Sequence, residues 1–334
     1  VILVDADVLG RRRTGDETYV ANLLRELPEA APDLSFGAVT RHPELVPAGV
    51  EAIRLATGSQ ELRMAWTLPR LLRRLRPELA HFQYVVPLGY RGLVVVTVHD
   101  LSFERDQSVM SALDRLTFKL MVPRAVRRAA HVLTVSERTK GDLVELYGVP
   151  DGKVTVTPNG VDPSFGPGAD GDGSYVLYVG AIQRRKDPDI ALAAAHAVGL
   201  PLVVAGPEKE PALARTLREG GADLRGYVEK DELARLYRGA AAVVLPSRFE
   251  GFGLPVLEAM ACGVPVVAAR EPALEEVGGD VALYAGPGEF ADVLRRALDE
   301  RERLSAAGLE RARLFSWRET ARRTAEVYRE VLGR

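Results

Sequence analysis

Two carboxylates, Glu250 and Glu258, stand eight residues apart in residues 247–269, SRFEGFGLPVLEAMACGVPVVAA. Gly251 and Gly253 interrupt the chain between them, and Pro255 suits a first helical position, where no N–H is needed. Residues 255–262 are predicted to form a short helix ended by Gly263. The apolar run 264–269 then reads as a buried strand. Glu250 thus falls in a loop and Glu258 in the first turn of a helix. A helix start carries about half a positive charge and unpaired N–H groups, which suits an anion such as a diphosphate. Glycines let that backbone approach a ligand closely. A carboxylate in the first turn can accept from two neighbouring ribose hydroxyls, and one in the loop from sugar hydroxyls. A capped helix with an acidic first turn accounts for Glu258 alone, but not for the whole stretch.

A second cluster is cationic. Arg184, Arg185 and Lys186 follow an apolar run, YVLYVG, that ends at Gly180, and Pro188 opens the next helical segment. Cations between a strand end and a helix start suit a diphosphate or a leaving phosphate. A basic surface loop would look the same in isolation. His99 and Asp100 follow another apolar run, LVVVTV. Such a pair could belong to a metal phosphohydrolase, but no further histidine or aspartate ligands stand at metal-binding spacing.

The run FEGFGLPVLEAMACGVPVV resembles the Glu-x7-Glu motif of retaining GT-B glycosyltransferases of family four, and the loop Arg184-Arg185-Lys186 resembles subgroups that include mannosyltransferases. That resemblance implies that Glu250 faces the donor sugar and Glu258 the nucleotide ribose. Gly251, Phe252, Gly253 and Leu254 would line the donor. Family members often carry Arg directly after the strand glycine and Lys five residues later. Here Ala181 stands at the arginine position, Lys186 matches the lysine, and Arg185 resembles the Arg-Lys pair of one subgroup. Gly15 matches the glycine of the first loop that approaches the diphosphate, although this chain has Thr14-Gly15 where many members have two glycines. Val228, after Tyr227, would border the base through its backbone. VTVHDLSFE resembles the acceptor-side loop, whose histidine, here His99, lies near the transferred sugar. TVSERTKGDLVELYGVP and TPNGVDPSF also look like the family.

The elements that must position these residues alternate. Strands are expected at 1–4, 36–40, 79–82, 93–98, 131–135 and 153–157, and helical segments separate most of them. Tyr19, Val20, Leu23, Leu24 and Leu27 follow helical spacing after the cap-forming Thr14, Gly15 and Asp16. Ser136 reads as an N-cap rather than a nucleophile. Residues 162–174, DPSFGPGADGDGS, are too rich in Gly, Pro and Asp to bury much apolar surface, and mark a domain boundary. Strands are expected again at 175–180, 201–206, 224–228 and 240–245, with a helix at 229–238. The fold class is therefore α/β: GT-B, two facing doubly wound Rossmann-like domains with a cleft between them. The expected domains are 1–165 on the acceptor side, 166–316 for the nucleotide sugar, and a helix at 317–334 packing back on the first.

Composition bounds the partners. The chain has 334 residues, 47% hydrophobic and 27% charged, with net charge −2, which gives no case for nucleic acid. Cys262 is the single cysteine, so there is no disulfide within the chain, and it reads as a small buried residue. No apolar run approaches a membrane span and no signal peptide is read, so a cytoplasmic location is expected. The chain opens on Val1 rather than Met, so its natural start is not read from it. Two basic stretches stand out: Arg63, Arg70, Arg73, Arg74 and Arg76 in the first, and Arg115, Lys119, Arg124, Arg127 and Arg128 in the second. With leucines at near-helical spacing, they suit peripheral contact with an anionic membrane presenting a lipid-linked acceptor. A solvated face beside a core face is the other reading. The expected activity is retaining, metal-independent transfer of a hexose from GDP-mannose or a UDP-sugar to a glycan or lipid-linked hydroxyl, with no cofactor. A GT-B epimerase or phosphorylase and a non-catalytic nucleotide-sugar binder are the alternatives.

Overall fold

The computed structural model describes residues 1–11, 14–105, 111–168 and 173–334. Arg12 and Arg13 of the first basic loop, and residues 169–172 of the expected linker, lie outside the described residues. The rest divides into two compact units, Val1–Gly160 with Ser316–Arg334, and Val161–Phe315.

The first unit holds β1 (Ile2–Asp5), β2 (Phe36–Thr40), β3 (Glu51–Arg54), β4 (Leu79–Gln83), β5 (Val94–Val98), β6 (His131–Thr134) and β7 (Val154–Val156). All pair in parallel, in the order β3-β2-β1-β4-β5-β6-β7. The central strands are buried on both faces, as the unbroken run VVVTV of β5 requires of a parallel sheet. The helices of this unit are α1 (Thr14–Ala30), α2 (Gln60–Leu62), α3 (Leu68–Leu75), α4 (Ser102–Arg105), α5 (Ala112–Arg128) and α6 (Glu137–Tyr147). Thr14, Gly15 and Asp16, expected ahead of α1 as cap residues, form its first turn instead. Tyr19, Val20, Leu23, Leu24 and Leu27 are wholly buried on one face of that helix. At about 2 kcal/mol for each large apolar side chain removed from water, that face is enough to hold α1 on the sheet. Ser136 caps α6 by accepting from the Thr139 N–H.

Arg63 corrects the reading of the first basic stretch. It sits in a π turn, Arg63–Thr67, between α2 and α3, and is 1% exposed. Its guanidinium donates to both Asp5 carboxylate oxygens at the end of β1, with one contact at 3.1 Å. A guanidinium needs such a partner to stay buried, so Arg63 is a strut and not part of a membrane-facing surface.

The second unit holds β8 (Tyr175–Val179), β9 (Leu202–Ala205), β10 (Asp223–Gly226), β11 (Ala240–Leu245), β12 (Val266–Ala269) and β13 (Leu283–Ala285). Their order is β10-β9-β8-β11-β12-β13, again parallel. The order reverses at β8 and β11, the kind of switch point where an α/β sheet offers a crevice for ligands. The helices are α7 (Pro188–Ala197), α8 (Pro211–Glu219), α9 (Lys230–Gly239), α10 (Leu254–Ala261), α11 (Pro272–Gly278), α12 (Phe290–Asp299) and α13 (Arg301–Ala312). Expected strand 224–228 stops at Gly226, whose φ of +64° turns the chain, so Tyr227 and Val228 lie in a loop. The start of the expected linker is not bare: Asp162 and Phe165 are buried. Asp162 pairs with Lys230 at 2.6 Å, and Phe165 meets Tyr237 edge-on at 5.7 Å.

The last helix, α14 (Trp317–Leu332), belongs to the first unit. Ser316 caps it by accepting from the Glu319 N–H, and Trp317, Thr320, Ala321, Thr324, Ala325 and Tyr328 form its buried face. His81 Nδ1 shares a hydrogen bond with the Tyr328 hydroxyl at 2.6 Å, and His81 Nε2 one with Thr97 Oγ1 at 2.7 Å. These bonds satisfy polar groups that burial would otherwise leave costly.

Candidate functional site

In the second unit the sequence-predicted residues gather around two loops. The first leaves β8 at Gly180, makes a 3-10 turn at Arg184–Lys186, and enters α7 through Asp187. The second leaves β11 at Pro246 and enters α10 through Gly253. The loops are laced together. Arg185 donates to the Phe249 carbonyl, and the Arg248 N–H donates to the Arg185 carbonyl at 3.0 Å. Arg248 also bonds the Arg184 carbonyl at 2.8 Å and pairs with Asp187 at 2.8 Å.

That lacing sets Lys186 against Glu250, with Nζ donating to Oε1 at 2.8 Å. Both side chains are largely buried, at 15% and 17% exposed. Burial alone would raise the Glu250 pKa, but the charges of Lys186 and Arg185 outweigh it and hold the carboxyl below its usual range. Gly180 makes room for the lysine: a Cβ there would lie 3.3 Å from Lys186 Cδ.

Gly251, Phe252 and Gly253 carry the chain from Glu250 into α10, which begins at Leu254. Phe252 is a buried anchor, edge-on to Phe315 at 6.1 Å. Gly253 holds φ at +111°, where a side chain is strained, and a Cβ would meet Leu274 Cδ2 at 3.0 Å. Because α10 starts at Leu254, Glu258 sits in its second turn and not the first, as expected from sequence. The difference arises because the glycine turn hands directly to Leu254, one residue ahead of Pro255. Glu258 accepts a hydrogen bond from the Tyr237 hydroxyl at 2.8 Å. Burial pushes its pKa up to about 7, the Tyr237 bond pulls it down, and the charge of Asp162 raises it further. Tyr237 and the Asp162–Lys230 pair were not singled out from sequence. Tyr237 falls within the expected helix 229–238 and Asp162 within the expected linker 162–174, and neither carries a local sign of its partner. Val228 is half-buried in the loop before α9.

An open groove of about 890 Å³ lies at the C-terminal ends of β11, β12 and β13, lined in part by Arg184, Asp187, Ser247, Arg248 and Arg270. Glu250 and Glu258 do not line it. Two of its arginines are paired with acids, Arg184 with Glu210 and Arg248 with Asp187.

His99 and Gly15 belong to the first unit. His99 follows β5 and is buried, with its ring edge-on to Tyr19 at 4.7 Å and tilted on Tyr84 at 5.5 Å. Burial lowers its pKa, against the opposing charges of Asp16 and Asp100, so the ring is neutral at pH 7. Gly15, in the first turn of α1, has open space around its Cα. No group of three or more His, Cys, Asp or Glu among the described residues is arranged to hold a metal ion. No described helix is long and apolar enough to cross a membrane.

Comparison with known proteins gives this arrangement a family. Residues 13–165 match the model for Glycosyltransferase Family 4, and residues 173–300 that for Glycosyl transferases group 1. The O-antigen chain mannosyltransferase B of Escherichia coli is 30% identical over 266 residues, covering 70% of each chain. A D-inositol 3-phosphate glycosyltransferase of Frankia alni is 37% identical over 241 residues, 60% of this chain and 58% of the relative. The backbone matches sucrose-phosphate synthase from Thermosynechococcus elongatus at a TM-score of 0.80, with 23% identity over 99% of both chains. It matches Anabaena Alr3699/HepE, solved with UDP-glucose, at 0.75, with 15% identity over 98% of this chain and 99% of that one. With its two parallel sheets this is the GT-B fold. The chain belongs to glycosyltransferase family 4, the group 1 glycosyltransferases.

Proposed function

We propose that the chain is a retaining, metal-independent hexosyltransferase that takes its sugar from a nucleotide diphosphate donor, GDP-mannose or a UDP-sugar. The observation that carries this reading is the 2.8 Å Lys186–Glu250 pair, backed by Arg185 on the same turn and set beside the glycine entry to α10. Two fixed cations next to a carboxylate suit a diphosphate leaving group bonded to a hydroxylated sugar. As the anomeric carbon–oxygen bond breaks, its electron pair passes to the diphosphate. Lys186 and Arg185 stabilise that charge without reorganising. The acceptor oxygen bonds the same face of the anomeric carbon, and its proton passes to the departing phosphate oxygen. Glu250 orients the sugar and stabilises positive charge at the anomeric carbon. Glu258 accepts from the ribose hydroxyls, Gly15 lies by the diphosphate, Val228 by the base and His99 by the sugar.

A mannosyltransferase and a glucose-nucleotide complex among the relatives and fold neighbours support the two donor classes named. The acceptor is a hydroxyl on a glycan or a lipid-linked molecule. Helix α5 supports a membrane-borne one. Leu113, Leu116 and Leu120 are 74%, 55% and 50% exposed on it, among Arg115, Lys119, Arg124, Arg127 and Arg128. Incubation with each candidate donor and a lipid-glycan extract, with EDTA present, tests the reading. Release of the nucleoside diphosphate with an α-linked product from an α-donor supports it. A β-linked product, or turnover only with added divalent metal, contradicts it. Flotation with anionic liposomes tests the membrane part separately: a protein that ignores them has no such surface.

A further inference from the structure

We infer that Gln83 is a positioning residue for His99, fixing which imidazole nitrogen carries the proton. Gln83 ends β4 and pairs in register with Thr97 of β5, two residues before His99. Its Oε1 lies 2.8 Å from His99 Nε2. An amide oxygen only accepts, so the proton is on Nε2 and the lone pair on Nδ1. Tyr19 and Tyr84 pack the same ring, and Thr139 Oγ1 donates to the His99 carbonyl at 3.3 Å, so both the ring and its backbone are held. The Gln83 Nε2 amide is buried without a hydrogen-bond partner. A buried donor left without a partner is costly, and a purely structural glutamine would avoid that cost. The arrangement therefore presents a neutral imidazole whose Nδ1 can accept from a hydroxyl.

This rests on the proposal that His99 faces the transferred sugar. A hydroxyl there would donate to Nδ1, and the wrong tautomer would meet it with an N–H. The titratable groups around the ring are Asp16 and Tyr19 on α1, His81 on β4, Tyr84 in the loop after it, and Asp100 next in the chain. None of them is bonded to Nε2 in place of Gln83.

The test reads the tautomer directly. The chain has five histidines, so long-range ¹H–¹⁵N spectra of the full ¹⁵N-labelled chain can be assigned by single substitutions. At pH 7 the wild-type His99 ring is expected to show a protonated Nε2 and a bare Nδ1. Gln83→Leu should average the two nitrogens and lower turnover by about tenfold to a hundredfold while donor KM stays within about twofold. Gln83→Glu, nearly isosteric, should raise the His99 pKa measurably and shift the pH–rate profile with it; it serves if the leucine variant misfolds. A wild-type ring protonated on Nδ1, a tautomer unmoved in Gln83→Leu, or a His99 pKa unchanged in Gln83→Glu overturns the inference. If the tautomer moves but His99→Ala transfers sugar at the wild-type rate, Gln83 does hold the ring and the role given to His99 is what fails.

Discussion

Replacing Lys186 separates chemistry from structure at the heart of the site. In Lys186→Ala, Glu250 loses the largest of the influences that lower its pKa, and in the proposed mechanism the diphosphate loses one of its two cations. The structural cost is below the roughly 3–5 kcal/mol of a fully broken buried ion pair, because Arg185 remains beside Glu250. The catalytic cost is that of one preorganised donor to a developing anion, about 2.7–4 kcal/mol, or about 10²–10³ in kcat. The catalytic effect should therefore dominate wherever the variant still folds. Released nucleoside diphosphate, counted at saturating donor, gives kcat; a urea titration of the same preparation gives stability. Lys186→Arg keeps the charge and should recover part of the lost rate. The pH dependence has a definite sign. Glu250 is held below its unfolded pKa, so its pairing stabilises the fold above that value and the benefit fades as pH falls through the folded one. The alanine variant should show less of that acid-side loss. An alanine variant with wild-type kcat would refute the role given to Lys186, and one that loses rate only in proportion to its folded fraction would make that role structural.

Three further outcomes are expected. Glu258, with a pKa of about 7, is half protonated at neutral pH and accepts best when ionised, so nucleoside diphosphate affinity should rise from pH 6 to pH 8. Calorimetry on Glu258→Gln should show weaker binding without that step. His81 is pushed by burial from 6.5 down to about 3, so between those values the unfolded chain binds a proton that the folded one refuses, and stability falls with pH. The difference, 6.5 − 3 = 3.5, sets an upper bound of about 5 kcal/mol, and urea midpoints at pH 4 and pH 7 should differ less in His81→Gln. Gly253→Ala must hold a strained φ and crowd Leu274, so a loss of about 1–3 kcal/mol in stability is expected by thermal melting, with weaker donor binding.

The central strands and the site loops were legible in the sequence because their signals are local. An unbroken apolar run such as VVVTV has few alternatives to a buried parallel strand, and glycines flanking a carboxylate mark a tight entry to a helix. The edge strand β3, EAIR, is not legible because an edge exposes most of its side chains and carries no apolar run. Arg63 escaped because its partner Asp5 lies 58 positions away, and a lone arginine gives no local sign that it will be buried. Tyr237 is hidden for a related reason: the sequence places it in a helix but does not show that its hydroxyl reaches Glu258. The turn of Glu258 was misplaced by one because helix starts are set by caps, and Gly253 caps without a side chain.

The most direct measurement is a crystal structure of the chain with the nucleoside diphosphate it binds most tightly. The account predicts a phosphate oxygen within hydrogen-bonding distance of Lys186 Nζ, and ribose hydroxyls donating to Glu258. A nucleotide seated instead in the groove by Arg248 and Arg270, with Lys186 and Glu258 untouched, would contradict it.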